Sequence, residues 1–276
     1  MGARISQKIA KTLIWTIALT VIIILMAIIV FILYNGLRVI NWTFLTEIPR
    51  EMGQQGGILS PIIGTLTVTV LAVVIAMPFG IGTAFYLAEY TRGGAVTRII
   101  RFCTESLAGI PSIVYGLFGL IFFVTTLGLG WSILSGGLTV AIMILPTIIR
   151  TSEEAIRSVP NIYREVSFTL GATKWQTIRK AVTPSAVRGI ANGIILSIGR
   201  CVAETAAVML TAGTVLTMPE SIFSSSRTMA LHFYLLAMEG TAMDKAFGTS
   251  AVLIILIFFI NVVANALVNR FVSKGH

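Results

Sequence analysis

The chain has 276 residues, of which 56% are hydrophobic and only 11% charged, and its mean hydropathy is +0.93. That balance excludes a water-soluble domain, because lipid has to be part of the solvent. The formal net charge of +9 does not call for nucleic acid, since cations flanking apolar spans act as topology signals and meet anionic lipid headgroups.

Six transmembrane helices are predicted, at 13–35, 60–87, 106–128, 132–150, 188–212 and 249–270; the stretches 12–33 and 251–272 come close to the roughly 20 apolar residues that cross a hydrocarbon core, and the other four suit helices carrying Gly, Pro or polar positions. The expected class is an all-α integral membrane protein. The first span follows Arg4, Lys8 and Lys11 as a signal peptide would. Its apolar stretch is too long and no small-residue cleavage site follows, so it is expected to stay as an anchor. Residues 1–59 are therefore read as an anchor helix with an extracytoplasmic segment, and 60–276 as the main membrane domain. Pro78, Gly80 and Gly82 in the second span, and Gly109 and Pro111 opening the third, can loosen helices or allow close packing. Leu134-Ser135-Gly136-Gly137-Leu138 is similar to the signature loop of ATP-binding-cassette motors, but it stands alone and is read as a Gly-Gly turn between spans three and four.

A long polar loop follows, at about 151–187, and its punctuation describes short helices. Thr151 and Glu154 have capping-box spacing, Pro160 fits the start of a helix over 161–170, Gly171 fits its left-handed end, and Thr173 with Gln176 makes a second capping box. The second helix is expected to stop before Pro184, leaving a hairpin with Lys174 and Trp175 near its apex. A large aromatic beside cations on an exposed hairpin suits insertion into a partner's groove.

In the fifth span Arg200 and Glu204 stand four residues apart, hence on one face if the helix is continuous. Charges there are costly in lipid and face a bundle interior or a watery cavity. Two readings stay open: a structural ion pair between helices, or a donor fork from Arg200 for an anion in transit, with Glu204 keeping it paired when the path is empty. Ser197 and Thr205 flank the pair and could add hydroxyl donors, although such hydroxyls often bond a carbonyl one turn back. Between spans five and six, residues 227–239 could form a helix on the outer membrane surface, with His232 as an interfacial side chain.

Six spans put both termini on one side. That side carries Arg4, Lys8, Lys11, Arg92, Arg98, Arg101, the seven cations Arg150, Arg157, Arg164, Lys174, Arg179, Lys180 and Arg188 in and flanking the long loop, and Arg270 and Lys274, against Arg38, Arg50, Arg227 and Lys245 opposite. Both termini are therefore expected in the cytoplasm. No G-x-x-x-x-G-K-[S/T] loop is present, so ATP hydrolysis is not expected of this chain. No catalytic set stands out, His232 and His276 are the only histidines, Cys103 and Cys201 have no metal-ligand spacing, and neither metal nor cofactor is implied.

The hairpin resembles that of the membrane subunits of bacterial binding-protein-dependent ABC importers, whose loop follows E-A-A-x3-G-x9-I-x-L-P. Here the run is Glu165-Val166-Ser167-x3-Gly171-x9-Ala181-Val182-Thr183-Pro184, with the Glu, Gly and Pro in register. Further blocks resemble the phosphate permeases: 41–47 (NWTFLTE), 57–66 (GILSPIIGTL), 86–90 (YLAEY), 109–118 (GIPSIVYGLF), 171–178 (GATKWQTI) and 199–206 (GRCVAETA). They most resemble the A-type permease.

The resemblance implies a type I ABC importer permease fold in 60–276 and a coupling helix that docks on an ATPase, carried by Glu165, Gly171, Ala172, Thr173, Lys174 and Trp175. It also implies phosphate transport through the helix of Arg200 and Glu204. The partners it implies are a C-type permease, two copies of a cytoplasmic ABC ATPase, an extracytoplasmic phosphate-binding protein and phosphate-sensing regulatory proteins. Rival readings are an importer permease for sulfate or molybdate, a channel or sensor without an ATPase, and a membrane enzyme.

Overall fold

The computed structural model describes residues 2–91, 93–240 and 242–273. Arg92, Lys274 and His276, used in the charge and histidine counts above, lie outside them. Helix α1 (Gly2–Gly36) is followed by the short α2 (Trp42–Thr46), whose first turn is capped by Asn41 accepting from Phe44 N at 2.7 Å. Next come α3 (Leu59–Phe85), continued by a wide π turn over Tyr86–Tyr90, then α4 (Ala95–Ala108) and α5 (Ser112–Gly119), the last extended by a π segment to Thr126. Helix α6 (Ile133–Arg157) leads to the hairpin helices α7 (Asn161–Thr169) and α8 (Lys174–Thr177). After α9 (Thr183–Val202) and α10 (Ala206–Thr211), helices α11 (Met229–Glu239) and α12 (Met243–Ser273) complete the order.

Among the described residues five helices are long and apolar enough to cross a membrane, and six spans result if the bent pair 95–108 plus 112–126 counts as one. That pair turns through 103°, so the third span expected at 106–128 starts beyond the bend, at Ser112, and the stretch 106–108 belongs to α4. Pro111 lacks an N–H, and a proline disfavours helical backbone at the residue before it, so the chain breaks at Gly109–Pro111. The piece beyond the bend is about 22 Å long, short of the roughly 30 Å core.

Helix α6 is the centre of the bundle: 67% of its apolar window is buried, against none for α1 and 6% for α12. Val140, Met143, Ile144 and Ile148 on α6 meet Val68, Ala72 and Ala76 on α3, with Val208 and Ala212 closing the same core. A second cluster, Ala84, Ile156, Val159, Val182, Ala186 and Ile190, sits where α3, α6 and α9 approach the hairpin. Helices α1 and α12 pack on each other, with Phe31 edge-on to Phe247 at 5.6 Å. Their remaining apolar surface faces outward, as expected where lipid replaces a core.

The 134–138 run is no turn. It forms the first turns of α6, capped by Ser132, and Gly136 and Gly137 lie buried where a Cβ would come within 2.7 Å of Ala212 and 2.6 Å of Leu71. The glycines give close helix contact, which is why a Gly-Gly pair reads as a turn yet packs as helix. The unpaired amides at this helix start are satisfied from outside: Ser132 N donates to Thr211 O, Ile133 N to Ser224 O and Leu134 N to Ile222 O, at 2.8–3.1 Å.

Candidate functional site

The Thr151–Glu154 spacing does not start a helix, because α6 runs unbroken through it and Thr151 Oγ1 donates to Thr147 O at 2.7 Å. From Pro160 onward the expected hairpin is present. Helix α7 ends at Gly171, whose φ of +80° is open to glycine but strained for other residues. Thr173 and Gln176 form both bonds of a capping box, Thr173 N to Gln176 Oε1 at 2.8 Å and Gln176 N to Thr173 Oγ1 at 3.3 Å.

Pro184 does not end the second helix: α8 passes through a π turn over Ile178–Val182 directly into α9. Thr183 N reaches back to Ile178 O, and this wider turn gives the proline ring the room a regular helix would deny it.

The hairpin keeps a buried underside of Thr177, Ile178 and Val182 and leaves its outer face apolar and bare. Leu170 is 82% exposed and Trp175 63%, with Ile162, Tyr163, Val166 and Phe168 also exposed. Glu165 and Lys174 are exposed beside them. Ala172, half-buried, lies in the turn between the helices. An apolar patch rimmed by charge has the composition of a contact surface for a protein or a membrane.

Arg200 and Glu204 are arranged differently from the continuous-helix expectation. Helix α9 stops at Val202, Ala203–Thr205 is not helical, and α10 begins at Ala206. Among the described residues no carboxylate pairs with Arg200. Glu204 is buried, and its Oε1 accepts from Ala207 N at 3.1 Å, capping α10. Each charge is thus met by a helix end: the cation by the carbonyl end of α9, the carboxylate by the amide end of α10. The break places both on discontinuous backbone, the arrangement by which membrane helices present charged ends to an ion path.

Arg200 lines a cavity of about 480 Å³ with Thr147 of α6, Ile195, Leu196 and Gly199 of α9, and Ile257 and Asn261 of α12. A second cavity of about 520 Å³ borders α10 and includes Trp131, Met209, Leu210, Gly213 and Thr214. Ser197 is fully buried and donates to Gly193 O at 2.9 Å, the one-turn-back bond anticipated for such hydroxyls. Thr205 precedes α10, and its side chain makes no capping bond there.

His232 is a second correction. It is fully buried against Gly53, with Nδ1 3.4 Å from Nη1 of Arg227, itself only 4% exposed. Burial pushes the imidazole pKa down to about 3, helped by the Arg227 and Lys245 charges, so the ring is neutral. The helix sits inside a fold made by the segment 50–56 and α12 rather than on a bare membrane surface, which periodicity cannot show. The break at 203–205 was also missed. Its signal is present, since Glu204-Thr205 directly before the apolar run 206–210 reads as a helix start.

Residues 76–274 match the model of the family described as binding-protein-dependent transport system inner membrane component. The chain belongs to this family. It is therefore a multi-pass membrane component of a transport system. Among relatives of this component is the probable ABC transporter permease protein YqgI of Bacillus subtilis, 33% identical over 280 residues, covering 96% of this chain and 95% of that one. The phosphate transport system permease protein PstA 1 of Mycobacterium tuberculosis is 37% identical over 221 residues, covering 79% and 72%. The fold is shared with solved importers: a chain of a bacterial alginate ABC transporter in complex with its alginate pentasaccharide-bound periplasmic protein has a TM-score of 0.70 at 17% identity, covering 94% and 95%. A chain of the inward-facing MetNI methionine ABC transporter has a TM-score of 0.63 at 19% identity, covering 77% and 94%. At those identities the likeness shows the fold alone.

Proposed function

We propose that this chain is a membrane permease subunit of an ATP-driven importer of inorganic phosphate, of the A type. The observation that carries the reading is Arg200, a cation without a carboxylate partner among the described residues, standing at a helix break and facing a cavity. A guanidinium with free donors matches the oxygens of a tetrahedral anion. Relatives carrying the name phosphate transport system permease protein supply the choice of anion.

In this reading Arg200 contacts the anion and the Thr205 hydroxyl adds a donor. Glu204 holds the break open by capping α10, and Ser197 supports α9 from behind. One cation is enough for a transient stop, since a site on a transport path must release what it binds. The first 59 residues add an anchor to the permease domain over 60–276. Both termini lie in the cytoplasm, and the patch around Leu170 and Trp175 docks on a separate ABC ATPase, present in two copies. A C-type permease completes the path, an extracytoplasmic binding protein delivers phosphate, and phosphate-sensing regulators read the complex.

The test is ATP-dependent uptake of labelled phosphate into proteoliposomes holding the full complex, with excess sulfate, molybdate or unlabelled phosphate as competitor. Inhibition by unlabelled phosphate alone is expected. Uptake of sulfate or molybdate in place of phosphate would assign the permease to another oxyanion.

A further inference from the structure

The exposed face of the hairpin explains docking but not how a push on it reaches the membrane. Its covalent links run only to α6, through 158–160, and to α9, through the π turn. Helix α3, which packs along α6 through Val68, Ala72 and Ala76, has no covalent link to the hairpin.

A polar link exists instead. The π turn Tyr86–Tyr90 extends α3 to the hairpin, and Glu89 Oε1 accepts from Arg164 of α7 twice, from Nη2 at 2.7 Å and Nε at 3.0 Å. The two side chains are only 8% and 16% exposed. The same guanidinium donates to Val159 O at 2.7 Å and Ile156 O at 3.0 Å, gripping the carbonyl end of α6. The neighbouring residue holds the other hairpin helix, for Lys174 Nζ stands 4.8 Å from the centre of the Tyr90 ring. Arg157 Nη2 adds a bond to Leu87 O at 3.2 Å, a carbonyl of the π turn.

We propose that Glu89 and Arg164 are a positioning pair that carries movement of the coupling hairpin to α3, with the π turn as its receiving end. Apolar contacts between helices can slide with little change in energy. A buried charge pair cannot, since separating it leaves both charges without solvent. Movement of the hairpin therefore drags α3 along until the pair breaks. The guanidinium fork and its two carbonyl acceptors fix the direction of the pull, which a lysine at 164 would not reproduce. A π turn suits the receiving end because its widened backbone offers carbonyls outside the regular ladder, as at Leu87. The proposal rests on the hairpin docking an ATPase and is independent of which anion is carried.

The test uses the full complex in lipid, with Glu89→Gln, Arg164→Met, Arg164→Lys and the Glu89→Gln/Arg164→Met double variant. ATPase retention and ATP hydrolysis are measured with phosphate uptake. A second readout, which needs no substrate, is the distance between spin labels on α3 (Val74→Cys) and α12 (Phe258→Cys) in a Cys103→Ser background, with and without trapped ATP; both sites are exposed in this chain. The expected result is that each single variant keeps its ATPase and hydrolyses ATP but moves about five-fold less phosphate per ATP or lower still. The double variant should be no worse than either single one, Arg164→Lys intermediate, and the ATP-dependent change in spin-label distance lost.

The proposal is overturned if the label distance does not respond to ATP in the wild type, or if the response survives Glu89→Gln at full size. It is equally overturned if the variants simply shed the ATPase, which makes the pair a structural tie. A wild-type complex that shows the distance change but takes up no phosphate leaves the pair standing and refutes the choice of anion.

Discussion

Acidification should weaken the part of the fold around α11 through one side chain. His232 is fully buried and its pKa is lowered from 6.5 to about 3, first by desolvation and then by Arg227 and Lys245. Because the folded pKa lies below the unfolded value, the folded state binds fewer protons. The stabilisation is complete above pH 6.5 and is lost as pH falls toward 3. Between pH 7.5 and pH 5.0 the change spans about 1.5 pH units below the unfolded pKa, or about 2 kcal/mol. For a chain of this size that is a drop in melting temperature of about 4–8 °C.

The assay is thermal unfolding of the purified complex at the two pH values, in wild type and His232→Gln. Glutamine keeps an oxygen to accept from Arg227 Nη1, now 3.4 Å from the imidazole, but cannot titrate. The variant should lose most of the difference in melting temperature. An equal pH-dependent drop in both proteins would show that His232 is not the titrating group and would refute the reasoning.

Three further outcomes follow from the local geometry. Gly171→Val puts a branched side chain at a φ of +80°, costing about 1–3 kcal/mol, and should sharply reduce ATPase retention on affinity purification of the complex. Thr173→Ala removes the capping-box bond to Gln176 N, costs about 1 kcal/mol, and should raise amide exchange across 173–177 without loss of assembly. Glu204→Ala leaves the Ala207 amide at a buried helix start without its acceptor and should cost about 1–2 kcal/mol, lowering the melting temperature. Glu204→Gln retains an oxygen acceptor and should stay close to wild type.

What was legible in the sequence is what local chemistry decides. Gly171, Thr173 and Gln176 fix the hairpin turn through their own backbone and side-chain bonds, so their spacing was enough. The apolar spans announced themselves by length, because lipid selects on composition. Tertiary context decided the rest. Thr151 and Glu154 have the spacing of a helix start, yet nothing ends α6 before them, so the pattern is carried inside a continuing helix. Pro184 reads as a stop, but a π turn absorbs it.

The four-residue spacing of Arg200 and Glu204 implies one face only while the helix lasts. Glu204 instead caps a new helix, while Arg200 stands in the last turn of α9 with no carboxylate partner among the described residues. His232 looked interfacial because it is buried against Gly53, far away in sequence. The Glu89–Arg164 pair, separated by 75 positions, left no local trace.

The most direct test of the central claim is ATP-dependent phosphate uptake by the reconstituted complex carrying Arg200→Met, with ATPase binding and hydrolysis measured in the same preparation. The account predicts that uptake is lost while the complex stays assembled with its ATPase bound, because only the cation at the helix break has been removed. Uptake at the wild-type rate would contradict it and reduce Arg200 to a packing residue at the end of α9.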